Sequence, residues 1–230
     1  MANKSGKRYR ALAEKVDARR LYSLGEAVQL VKETSSAKFD ETVDVTVLLG
    51  IDAKKGDQQV RGTITLPHGT GKTPRVVAVA RGEQATAAEA AGADAVGAEE
   101  LIAQLEKDEV EFDVLVATPD MMRLISRLGK KLGPRMPNAK SGTVGADLGR
   151  IVSDRKKGQI EYRNEPKASV VHSIIGKASF DADALSENAA ALIDALRRAK
   201  PTSAKGTYLK AITVSSTMGP GVKVDPSTVR

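Results

Sequence analysis

The sequence reads as a mixed α and β chain in which strand-and-helix pieces from both ends flank an α/β middle. Three observations carry that reading. Polar and apolar residues alternate with period two near both ends, the mark of strands with one buried face. Between them lie short, wholly apolar strands separated by helical stretches, as in a small parallel sheet covered on both faces. Two segments dense in Gly and Pro, around residues 66–74 and 132–145, coincide with the changes of texture. The pattern is consistent with a discontinuous first domain and an inserted second one, without requiring them.

In chain order, Arg8 to Arg20 reads as a helix with a basic face. Ser23-Leu24-Gly25-Glu26 has capping-box spacing and predicts a helix to about Glu33. Thr42 to Val47 alternates and predicts a strand; Gln59 to Leu66 reads as its partner, across a loop containing Asp52 to Asp57. Leu66 to Pro74 is a loop or hinge. The middle then supplies a strand at Arg75 to Ala80, a helix at Gln84 to Ala91, a strand around Asp94 to Val96 and a helix at Ala98 to Lys107. A strand at Phe112 to Thr118 and a helix from about Asp120 to Leu132 complete it. After the glycine-rich loop come strands at Gln159 to Arg163 and Ala168 to Ile175. Leu185, Leu192, Ile193 and Leu196 share one helical face, Pro201 stops that helix, and Thr207 to Ser216 is the final predicted strand.

Charge is segregated along the chain. The formal balance is +7, yet Glu83 to Asp113 holds ten acids and a single base, Lys107, so the remainder sums to +16. Basic surface confined to part of a chain fits polyanion binding, nucleic acid first; a generally solvated basic surface is the plainer alternative. With no cysteine there are no disulfides, thiol nucleophiles or thiolate metal sites. No apolar run approaches a membrane span, and the basic start MANKSGKRYRALAEKVDARR lacks the apolar core of a secretory signal. The expectation is a cytosolic protein.

Candidate chemistry is sparse. Gly69-Thr70-Gly71-Lys72-Thr73 resembles the tail of a phosphate-binding loop, but Leu66 stands where its first glycine belongs, and Pro74 with the strand after it rules out the helix it needs. The two histidines, His68 and His172, come with no metal-ligand spacing or nucleophile motif. Met121 to Lys140 contains Arg123, Arg127, Lys130, Lys131, Arg135 and Lys140 and no acid, so its loop fits either a contact with phosphates or an ordinary connection.

Aromatic residues are 3% of the chain, too few for a platform that stacks bases; a nucleic acid partner would be read by its folded shape. Ala211 to Met218 carries no charge. A loop of Ser216, Thr217, Met218 and Gly219 suits the sugar surface of folded RNA: hydroxyls meet 2′-hydroxyls, methionine packs on ribose or base, and glycine permits close backbone approach. It is equally the composition of a plain turn.

Six blocks then recur together: Phe39-Asp40-Glu41-Thr42-Val43-Asp44-Val45, Gly50-Ile51-Asp52, Asp57-Gln58-Gln59-Val60-Arg61-Gly62, Leu66-Pro67-His68-Gly69-Thr70-Gly71-Lys72, Gly176-Lys177-Ala178-Ser179-Phe180 and Thr217-Met218-Gly219-Pro220. In this order they resemble the bacterial L-one family of large-subunit ribosomal proteins, the mobile-stalk family, from Arg8 to Pro226. The resemblance implies an α+β first domain built from both chain ends, residues 1–67 and 159–230, with an inserted Rossmann-like α/β second domain, 68–158. It implies a non-enzymatic protein, without cofactor or metal, that binds 23S ribosomal RNA at the stalk of the large ribosomal subunit. It further implies assistance in releasing deacylated exit-site transfer RNA, and repression of translation by binding its own messenger RNA. The implied RNA surface comprises Lys38, Phe39, Thr42, His172, Lys177, Ser179, Ser216, Thr217, Met218 and Gly219. One departure stands out: the loop Gly133-Pro134-Arg135-Met136-Pro137-Asn138-Ala139-Lys140 is two residues shorter than the family's usual form and has alanine for its second proline. The rival readings are a nucleotide-binding enzyme using the α/β middle and a DNA-binding repressor.

Overall fold

A computed structural model describes residues 6–229, so the first five residues of the basic N-terminal stretch lie outside the described residues. In chain order the helices are α1 (Lys7–Ala13), α2 (Leu24–Thr34), α3 (Glu83–Ala90), α4 (Glu99–Lys107), α5 (Met122–Ile125), α6 (Gly129–Leu132), α7 (Leu148–Lys156) and α8 (Ala182–Arg198). The strands are β1 (Thr42–Leu49), β2 (Arg61–Thr65), β3 (Val76–Val79), β4 (Ala95–Gly97), β5 (Val114–Ala117), β6 (Gln159–Arg163), β7 (Val170–Lys177), β8 (Leu209–Ser216) and β9 (Val222–Val224). The content is mixed α and β, and the chain forms two compact units. One combines the chain up to Gly71 with the chain from Ile160 onward; the other is Lys72–Gln159.

The first unit is organised by a four-stranded antiparallel sheet of order β7-β1-β8-β9. Val43, Val45 and Val47 of β1 are wholly buried while the residues between them are half-exposed, which is the period-two pattern made physical. Their face packs with Ile175, Val214 and Val222 against Val28 and Val31 of α2 and Leu185, Leu192 and Leu196 of α8. Helix α2 starts as its sequence dictates: the Ser23 hydroxyl accepts from Glu26 N, and the Glu26 carboxylate accepts from Ser23 N at 3.0 Å.

The segment 59–66 is not the partner of β1. It forms β2 and pairs with β6, while β1 takes β7 and β8 as neighbours. A hairpin fails because residues 50–60 turn away from β1: Gln58 Oε1 accepts Asp52 N at 2.8 Å, and buried Asn164 accepts Val60 N through Oδ1 at 2.9 Å. Helix α1 also stops short of its predicted length. The chain turns at Asp17, whose N–H donates to Tyr22 Oη at 3.0 Å and whose carboxylate accepts Arg19 N at 2.9 Å.

Tyr208 is buried in this core, and no described residue accepts from or donates to its hydroxyl. Burial, with Tyr162 nearby, pushes its pKa up to about 12. A buried hydroxyl without a partner stabilises nothing. Tyr208→Phe is therefore expected to leave stability unchanged or raise it by about 1 kcal/mol. Chemical denaturation checks this, and a clear loss would mean that the hydroxyl has a partner.

In the second unit β3 lies between β4 and β5 in a parallel sheet. Val76, Ala78 and Val116 face α3 and α7; Val77, Val79 and Leu115 face α4, α5 and α6. Covering both faces is why these strands are apolar throughout. The helix expected at 120–132 is broken into α5, a 3₁₀ turn at Ser126–Leu128 and α6. Ser126 Oγ donates back to Met122 O at 2.6 Å, beside the backbone N–H bond that the same carbonyl accepts, a back-bond that bends a helix where the 3₁₀ turn begins. Among the described residues no helix is long and apolar enough to cross a membrane.

Candidate nucleic-acid interface

Antiparallel pairing brings distant segments to one end of the first unit's sheet. The register sets Thr42, the first residue of β1, opposite Lys177, the last of β7, and Val43 opposite Ser216, the last of β8. The ladders run one step further into the loops: Ala178 N donates to Glu41 O at 2.8 Å, and Thr217 N donates to Thr42 O at 3.0 Å. The loops entering β1 and leaving β7 and β8 are thus side by side.

Short polar contacts fix these loops. Thr217 Oγ1 accepts Thr42 N at 3.0 Å and lies 3.2 Å from Thr42 O, so the hydroxyl caps the strand start. Lys177 Nζ donates to Thr42 Oγ1 at 3.0 Å and to Asp40 O at 3.3 Å. The Asp40 carboxylate accepts Ser179 N at 3.1 Å and Ser179 Oγ at 2.9 Å. Lys32 Nζ donates to Phe180 O. Arg8, from α1, reaches Ser36 Oγ at 3.4 Å and Met218 O at 3.5 Å.

Glycine is required at position 71, beside this region. Gly71 has φ +73°, and a Cβ there would approach Lys177 Cγ to 2.9 Å and the Phe180 ring to 3.0 Å.

The arrangement has a cationic rim and an uncharged centre. Arg8 and Lys38 are exposed. Between them stand two large apolar side chains in solvent, Phe39 at 56% and Met218 at 47% exposure. Gly219 follows in a tight turn, Gly219 N donating to Ser216 O at 3.2 Å. Long-range attraction from the rim and close fit at the centre are what a folded polyanion with sugar faces requires.

Nine of the ten expected site residues gather at this sheet end. His172 does not. It pairs with Thr46 on the exposed side of β7, five residues from Lys177 and so ~17 Å along the strand. There its Nδ1 lies 3.1 Å from Thr46 Oγ1 and its Nε2 3.6 Å from the Glu165 carboxylate. Sequence reasoning missed Arg8, Asp40 and Glu41 as parts of the site. Glu41 is buried, at 2% exposure, and accepts Ser36 N at 2.9 Å, Ala37 N at 2.8 Å and Met218 N at 2.9 Å. Burial pushes its pKa up, but hydrogen bonds from Ala37, Met218 and Ser36 N–H and the nearby Ser216 hydroxyl outweigh that and hold it below the usual carboxylate value. The Ser216 hydroxyl acts through proximity, since its geometry makes no well-formed hydrogen bond.

The second unit adds no catalytic constellation. No helix follows Lys72-Thr73, where β3 begins at Val76, so no phosphate loop forms. No group of three or more acids and histidines that could hold a metal exists among the described residues. The loop after α6 is knotted rather than open: Asn138 N donates to Thr143 Oγ1 at 2.8 Å, Asn138 Oδ1 accepts Lys140 N at 2.9 Å, and Arg155 holds Ser141 O.

A model of the ribosomal protein L1p/L10e family matches residues 31–220. Among relatives, the large ribosomal subunit protein uL1 of Methylobacillus flagellatus is 56% identical over 231 residues, covering 100% of both chains. That of Macrococcus caseolyticus is 53% identical over 229 residues, 99% of both chains. That of Cutibacterium acnes is 56% identical over 229 residues, 99% of this chain and 98% of the relative.

Proposed function

The chain belongs to the ribosomal protein L1p/L10e family, and from that premise we propose that it is a non-enzymatic component of the large ribosomal subunit whose sheet end holds 23S ribosomal RNA at the stalk. One observation carries the reading: segments some 140 and 175 residues apart converge on a patch with hydroxyl, methionine and glycine chemistry at its centre and cations at its rim. Such a patch recognises a pre-formed RNA shape. The same surface would take a similar fold in the protein's own messenger RNA, which makes it a translational repressor. Residues 68–158, read as an inserted Rossmann-like domain between 1–67 and 159–230, would let the stalk move with deacylated transfer RNA as it leaves the exit site. Its place of action is the cytoplasmic ribosome.

The direct test is a titration at moderate salt comparing a stalk-base ribosomal RNA fragment, a scrambled RNA of equal length and the deoxy version of the fragment. Tight binding to the first alone supports the reading; equal affinities for all three refute it. Log K should fall by about 0.7–0.9 per neutralised phosphate for each log unit of salt. Thr217→Val should weaken stalk RNA binding by roughly 1–2 kcal/mol, about 5–30-fold, because its hydroxyl both caps Thr42 and faces the ligand. The salt slope should stay as it is. Unaltered affinity would remove Thr217 from the site.

A further inference from the structure

Two loops carry much of the proposed RNA site: residues 36–39, with Lys38 at the rim and Phe39 at the centre, and residues 217–219. Neither belongs to a helix or strand. From beneath, one side chain joins both. Glu41 Oε1 accepts the N–H groups of Ser36 and Ala37, and Glu41 Oε2 accepts the N–H of Met218. The two oxygens of one rigid carboxylate therefore fix the separation of the two loops. A neutral amide could not do this, since its nitrogen would confront a donor on one loop or the other. On the outer side Arg8 repeats the link with the opposite polarity, donating to Ser36 Oγ and to Met218 O, at the longer distances of 3.4 and 3.5 Å.

A buried carboxylate beneath a surface meant for phosphates is costly on two counts, desolvation and repulsion of the ligand. Three converging N–H groups answer the first. The second calls for a function that outweighs it. Resting on the RNA reading above, we propose that Glu41 is the positioning residue of this site: it touches no RNA, and it sets the loop spacing that lets the surface distinguish its folded target from other RNA. Shape discrimination then resides in Glu41, and non-specific attraction in the cationic rim.

Electrostatics alone predicts the opposite of this proposal. Neutralising an acid under an RNA site should tighten every RNA. Positioning predicts that Glu41→Gln loses roughly tenfold or more in affinity for the stalk-base fragment, with scrambled RNA within about twofold of the unaltered protein and the salt slope unchanged. The free variant should also show altered and faster-exchanging amides at Ser36, Ala37 and Met218 by NMR, while those of Val45 and Val214 in the sheet stay as they were. Glu41→Asp, which keeps the charge but is one methylene too short to reach both loops, is the second variant should Gln impair folding. It is expected to lose affinity for the fragment in the same selective way.

Unchanged affinity for the fragment in the folded Gln or Asp variant overturns the proposal. So does an equal change on both RNAs, in either direction. Equal binding of both RNAs by the unaltered protein would instead overturn the RNA reading on which it rests, a failure seen before any variant is made.

Discussion

Alanine at position 50 should destabilise the first unit by about 3 kcal/mol or more, the largest effect expected of any single methyl group added to this chain. A Cβ on Gly50 would lie 2.1 Å from Thr207 O and 3.1 Å from Thr207 C. Both are backbone atoms, so no side-chain rotation relieves the clash. Nor can the strands simply part, because Gly50 N donates to Tyr208 O at 2.6 Å, and the β1–β8 ladder already shifts register between Leu48 and Leu49. Unfolding by urea, followed by circular dichroism, would show the loss. A variant as stable as the parent would mean that the 207–209 segment is free to move. Gly50 is at the opposite end of β1 from Thr42, so RNA affinity of the folded fraction should survive.

Asn188→Ala should cost about 3 kcal/mol. This side chain in α8 is wholly buried and uses its oxygen and both of its N–H groups: Oδ1 accepts His68 N at 3.0 Å, while Nδ2 donates to Gly69 O at 2.9 Å and Ile175 O at 2.8 Å. It pegs the Gly- and Pro-dense 66–71 segment to β7. Alanine leaves the Ile175 carbonyl buried without that donor. Asn188→Asp should be at least as harmful, because two acceptors would then face each other where a donor met an acceptor, and a charge would be buried. The amide of His68 should exchange faster in both. An Asp variant of parental stability would contradict this orientation of the amide.

How much of this was legible in the residues depends on the range of the interaction concerned. The Ser23–Glu26 capping box, the alternation along β1 and the apolar runs of β3 and β5 are local signals, and each corresponds to an element. The partner of β2 was misread because pairing is decided by segments a hundred residues away. Helix α7 left little trace, since only Leu148, Val152 and Arg155 are buried in it, and Asp147 caps it without an apolar run to follow. Strand β9 has three residues beyond a Gly-Pro-Gly turn and hid behind it.

The candidate site divides the same way. The uncharged run ending at Met218 could be read as surface chemistry from its composition, and Lys38, Phe39, Lys177 and Ser179 came from family resemblance. Glu41 could not be read, because its partners are backbone N–H groups of two loops, and no side-chain pattern announces them.

The pairing order of the first sheet also has a consequence in time. Strand β1 is flanked by β7 and β8, and its first residue waits for Thr217 to complete its ladder. A chain emerging from its own synthesis presents residues 38–42 early, yet Lys177 to Ser179 follow much later and Thr217 and Met218 later still. Residues 72–159, whose contacts are contiguous in the chain, can condense meanwhile. An unfinished or prematurely terminated product therefore carries the cations of the rim but no assembled surface behind them. On the RNA reading proposed above, a product that stops before Thr217 should bind the stalk-base fragment no better than scrambled RNA.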